Sequence, residues 1–126
     1  MKIRSYNGQP FVSVTLEYMG RIITVDNIVL DTGAADSLID KEAVRELQIE
    51  TEDDDIIVPM TGIGGRDYAL RKQIDCLKFG TFTIHKPCVD LGNLDAHPGV
   101  NGLLGFDILS VGKFVVDLDE MEVYQK

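Results

Sequence analysis

Between Phe11 and Leu30 apolar residues first occupy every second position and then run together, and the run stops at Asp31-Thr32-Gly33. From Phe11 to Tyr18, Val12, Val14, Leu16 and Tyr18 fall on one face and Ser13, Thr15 and Glu17 on the other, the period-two signature of a half-buried strand. Met19-Gly20 then turns the chain, and Ile22 to Leu30 is rich in β-branched residues. It becomes wholly apolar at Ile28-Val29-Leu30, as expected where a strand enters the interior. Whatever this chain folds into, it begins with an antiparallel pair whose second member delivers an aspartate and a glycine from the core.

The remainder reads in the same way. Ile56 to Met60 and Tyr68 to Leu77 are two strands joined by the glycine-rich turn Thr61-Gly62-Ile63-Gly64-Gly65, and Pro59 argues for an edge position because it lacks an amide hydrogen. A further hairpin turns at Phe79-Gly80-Thr81, with Phe82 to Val89 returning, and Phe114 to Leu118 and Met121 to Tyr124 close the chain. Ile39, Ala43, Val44 and Leu47 recur at helical spacing behind Asp40, which predicts one short helix from Asp40 to about Leu47. The acidic run from Glu50 to Asp55 reads as a solvated loop. With 126 residues, 44% apolar and 26% charged, the expectation is one globular domain spanning 1–126, almost entirely strand.

Charge and segment composition bound the partners. Lys plus Arg is 12 against 21 for Asp plus Glu, a net charge of −9 that repels a phosphate backbone, so no nucleic-acid partner is expected. Met1 to Pro10 has no apolar core of signal-peptide length, and nowhere do about 18 uncharged apolar residues run together, so the reading is cytoplasmic with no membrane partner. Cys76 and Cys88 would oppose one another only if the intervening turn centred on Phe82, which favours reduced thiols.

An Asp-Thr-Gly triplet arises by chance in about one chain in forty of this length, and alone it marks an ordinary strand-ending turn. Here an apolar strand leads in, a Gly-Ile-Gly-Gly turn follows about thirty residues on, and Leu103-Leu104-Gly105 comes near the end. In this combination the chain resembles the retropepsin-like aspartic proteases over about Phe11 to Leu118. Asp31-Thr32-Gly33-Ala34 matches the active-site loop, Gly62-Ile63-Gly64-Gly65 the flap tip, and Leu103-Leu104-Gly105 the apolar pair and glycine behind the loop.

The resemblance implies an all-β, small closed β-barrel with one short helix, and an aspartic endopeptidase with no cofactor and no metal. Hydrolysing an amide with water requires one group to take a proton from water and another to give one to the carbonyl oxygen, and two close carboxylates sharing a proton do both. The chain has one such motif, so the resemblance implies a homodimer in which each protomer presents Asp31. By the same resemblance Thr32 would reach across the dimer axis, Gly33 would permit the close approach of two loops, and Ala34 would line the cleft. Gly62, Ile63, Gly64 and Gly65 would form a lid over a peptide or protein substrate bound extended. Ser37 reads as support for the loop.

Two departures stand out. Retroviral members commonly carry an acid where this chain has Ala35 and an arginine where it has Phe106, an ion pair that supports the loop while the acid contacts the substrate main chain. Joint loss leaves no orphan charge, and Asp36 is the candidate to take over the substrate contact. The alternative is a non-catalytic dimerisation or peptide-binding module on the same fold. Other chemistries fit less well: His85 and Cys88 are three apart on one expected strand and so face opposite ways for zinc, no lysine follows the glycine turn as a phosphate loop requires, and no nucleophile-elbow serine is present.

Overall fold

The computed structural model describes residues 1–62 and 65–126, with side chains described for 1–60 and 67–126. In chain order the strands are β1 (Arg4–Tyr6), β2 (Gln9–Tyr18), β3 (Arg21–Leu30), β4 (Leu38–Asp40), β5 (Ile56–Gly62) and β6 (Gly65–Gln73). They continue with β7 (Cys76–Phe79), β8 (Phe82–His85), β9 (Cys88–Gly92) and β10 (Gly102–Leu104), then helix α1 (Phe106–Val111), β11 (Phe114–Asp117) and β12 (Glu122–Gln125). Ten strands form one sheet in the order β5-β6-β9-β4-β10-β3-β2-β7-β8, with β1 on β2, and β11 and β12 form a separate hairpin. The ladders describe an open path from β5 to β8.

The alternating segment is β2. Val12 pairs with Ile28 and Val14 with Val25, so a bulge places one extra residue in β3 between Val25 and Ile28; Phe11 and Val12 precede it on β2, point to opposite faces and are both buried. Ile28, Val29 and Leu30 are buried because β3 runs between β2 and β10, with Leu30 beside Leu104 in parallel register. β10 also pairs antiparallel with β4. Gly102 is required in that narrow space: a Cβ there would lie 2.4 Å from the Leu38 carbonyl oxygen. Pro59 sits on β5, the edge of the path, as its missing N–H demands.

Three expectations are corrected. The segment from Asp40 to Leu47 is not an α-helix. Asp40 N–H donates to Asn101 O and Lys41 N–H to Gly92 O, both at 2.8 Å, which holds the expected helix start in the sheet and leaves only a 3₁₀ turn at Arg45–Leu47. Its apolar spacing still anchors the segment, since Ile39, Val44 and Leu47 are all buried. The α-helix is instead α1, where Leu109 N–H donates to Gly105 O and Gly112 N–H to Ile108 O. Six residues are too few to show a helical period.

The long expected strands Tyr68 to Leu77 and Phe82 to Val89 each break in two. Lys86 adopts φ 55 before Pro87, Ile74 N–H donates to Pro87 O, and Lys86 N–H donates to Asp75 O. The two chains therefore kink together, and β7 and β8 pair along β2 while β6 and β9 carry the ladder towards β4. Both cysteines are free: Cys76 stands opposite His85, and Cys88 opens β9 opposite Gln73.

The acidic run is not wholly solvated. Asp55 is 8% exposed and accepts a hydrogen bond at 3.0 Å from Nζ of Lys72, which is itself 3% exposed. Lys72 also donates to the Glu50 carbonyl at 3.1 Å, lies 3.2 Å from Glu52 and sits 5.6 Å from the centre of the Tyr18 ring. Burial would push this ammonium down, but the hydrogen bonds it donates to Asp55 and Glu52 more than offset that and hold it above its ordinary value. The loop folds over a buried cation that had no sequence signal beyond its lying in an otherwise amphipathic strand.

Candidate active site

β3 delivers Asp31 to the end of the sheet. Its N–H donates to Leu104 O at 2.9 Å, continuing the parallel β3–β10 ladder by one residue, and its carbonyl accepts from Ala34 N–H at 3.2 Å to close a tight turn. Within that turn Gly33 N–H donates to Asp31 Oδ1 at 2.9 Å, which orients the carboxylate. Asp31 and Ala34 are half-buried, and Thr32, Gly33 and Asp36 are exposed. A carboxylate at the mouth of a rigid turn, with one oxygen fixed by a backbone N–H, is able to accept or donate a proton.

The turn rests on α1. Phe106 N–H donates to Ala34 O at 2.7 Å. Ser37 is 1% exposed; its hydroxyl donates to Asp107 Oδ1 at 2.7 Å and accepts from Gly105 N–H at 2.9 Å, while its N–H donates to Asp107 Oδ2 at 2.9 Å. Gly105 is confined here, because a Cβ would lie 2.6 Å from the Ala34 carbonyl oxygen. The Leu103-Leu104-Gly105 motif is thus the floor on which the loop sits: Leu104 is buried, Leu103 half-buried, and Gly105 lets the two backbones touch.

Ala35 and Phe106 form no ion pair, and Phe106 is 58% exposed. Asp36, one residue on, lies 3.2 Å from Nη2 of Arg71 on β6. Arg71 also donates through Nε at 2.8 Å and Nη2 at 3.1 Å to the carboxylate of Asp90 on β9. The hydrogen bond with Asp90 outweighs burial and holds the guanidinium above its already high ordinary value.

β5 and β6 form the expected hairpin, paired from Ile56 opposite Arg71 to Gly62 opposite Gly65. Ile63 and Gly64, read as the remainder of the flap tip, lie outside the described residues. A cavity of about 710 Å³ lies between residues 41–51 and the β5–β6–β9 ladder, lined in part by Val44, Ile49, Tyr68 and Leu91; Asp31 is not in its lining. Arg71, Asp90 and Asp107 were missed by sequence reasoning. The one available signal was an exposed acid at Asp36 with no cation at 106, which called for a cation from elsewhere in the fold.

Residues 14–108 match a family model described as aspartyl protease. Among solved structures the chain is similar to a retropepsin-like aspartic protease from Rickettsia conorii, with 20% identity, a TM-score of 0.68, and coverage of 94% of this chain and 83% of that one. No curated protein matches the chain.

Proposed function

The chain belongs to the aspartyl protease family, with a retropepsin-like fold, and from that premise we propose that it is an aspartic endopeptidase active as a homodimer. The observation that carries the reading is the Asp31 turn: a half-buried carboxylate set by Gly33 N–H and pinned between β10 and α1, with one copy per chain. Two such turns facing each other across a two-fold axis supply the second carboxylate that the chemistry requires.

In the reaction, water lies between the two Asp31 side chains. The ionised carboxylate takes its proton as the oxygen attacks the scissile carbonyl carbon, and the protonated one gives its proton to the carbonyl oxygen. The resulting tetrahedral diol collapses by breaking the C–N bond, the nitrogen leaves with a proton, and no acyl-enzyme forms. Thr32 and Gly33 belong to the contact between the paired loops. Ala34, Asp36 and the flap residues Gly62, Ile63, Gly64 and Gly65 flank an extended peptide, which adds a strand under the β5–β6 lid. In the same reading the sheet curls as a barrel around the core that holds Leu16, Ile28, Leu77 and Val89, and the free thiols of Cys76 and Cys88 suit the cytoplasm.

A peptide-library cleavage assay with light scattering tests this. Wild-type protein is expected to cleave as a dimer, and Asp31→Asn to remain dimeric while losing activity by about 10³-fold or more, the scale on which a lost catalytic proton acceptor acts. Dimers that bind but do not cleave would indicate the peptide-binding module, and cleavage that survives Asp31→Asn would remove the mechanism.

A further inference from the structure

Resting on the protease reading above, we propose that Arg71 is a positioning residue that holds the Asp36 carboxylate for contact with the main chain of an extended peptide, and so couples the flap strand β6 to the loop bearing Asp31. Arg71 stands opposite Ile56 in β5 and Asp90 in β9. Its Nε and Nη2 engage both oxygens of Asp90, whose side chain is 12% exposed, and the same Nη2 reaches Asp36 Oδ2 at 3.2 Å. The buried acid thus locks the guanidinium plane, and the locked plane presents its outer N–H to the exposed acid. A planar fork does this where a point-charge ammonium does not.

Asp36 is held from a second side by its neighbour. Ser37 O accepts from Asp90 N–H at 3.0 Å, so β9 grips the loop directly after Asp36 while Arg71 grips Asp36 itself. The Asp36 side chain is 57% exposed, and a pair so placed adds little to folding because water screens it. Stability is therefore a poor account of the contact. What the contact does achieve is to confine a carboxylate that stands five positions beyond Asp31, on the same loop, with lone pairs left for peptide N–H donors. The cation that would occupy position 106 in the retroviral pattern comes here from β6, so the acid is tied to the lid rather than to α1.

The experiment compares Asp36→Asn, Arg71→Lys and the double variant. Asp36→Asn alters an exposed site and leaves the fold intact, and Arg71→Lys keeps a positive charge for Asp90 while removing the fork. Each single variant is expected to raise KM about tenfold with kcat within about twofold, the worth of one charge-assisted hydrogen bond. The double variant is expected to be no worse than the larger single effect. Unchanged KM in either single variant, or effects that multiply in the double, would overturn the proposal.

The same ratios are read as Kd for a peptide with a non-hydrolysable bond in place of the scissile one. The pattern in Kd without any cleavage keeps Arg71 in its role and removes the protease reading. Cleavage without the pattern does the reverse, and a chain that neither binds nor cleaves loses both.

Discussion

Ser37 sits where the loop bearing Asp31, α1 and β10 meet, and its three hydrogen bonds join all of them. Ser37→Ala removes the acceptor of the buried Gly105 N–H and one donor to Asp107, so it is expected to cost about 1–3 kcal/mol, the penalty for an unsatisfied buried polar group. Urea denaturation should show a lower midpoint with an unchanged slope, and kcat should fall because the turn that orients Asp31 loses its floor. At this scale the sequence was informative about Asp31 to Gly33 and about Ser37, since short-range motifs encode their own turn chemistry. It was silent on Arg71, Asp90 and Asp107. Their roles depend on which residues end up opposite one another across strands far apart in the chain, and pairing of that kind is set by register, which no local pattern states.

Among the elements, the strands were legible wherever period two or a β-branched run dominated: β2, β3, β5 and the β11–β12 hairpin fall within a residue or two of their expected limits. Misreadings arose where tertiary hydrogen bonds overrode a local pattern, as at Asp40, or where a kink divided an apparently continuous strand, as at Ile74 to Cys76 and Lys86 to Cys88. The acidic segment carries a testable consequence of its own. Asp55 is held below its ordinary value of 3.8, first by the Glu52 N–H and then by Lys72. A carboxylate depressed in the folded state contributes stability that is present above its unfolded value and is lost as pH falls through the lower folded one. Lys72, raised above its ordinary 10.5, contributes below that value and loses its contribution only in strong alkali. Thermal scans followed by circular dichroism should therefore show that Asp55→Asn melts below wild type at about pH 7, and that the gap narrows as wild type is taken to about pH 3. A gap that stays constant would mean that the loop does not depend on this charge.

The whole molecule presents one Asp-Thr-Gly turn on a mostly β scaffold, and its two ends are joined within the chain: Met1 N–H donates to Val123 O and Ile3 N–H to Met121 O, both at 2.9 Å. The N-terminal segment is thereby hydrogen-bonded to the β11–β12 hairpin. The chain carries one such turn, and under the proposed function association of two chains supplies the second carboxylate. Mixing wild type with Asp31→Asn at fixed total concentration, after equilibration through dilution and reconcentration, tests this most directly. If each active centre draws one Asp31 from each of two chains, cleavage rate falls as the square of the wild-type fraction, so an equal mixture retains about a quarter of the activity. A rate that falls in simple proportion, leaving half, would mean that a single chain hydrolyses peptides by itself.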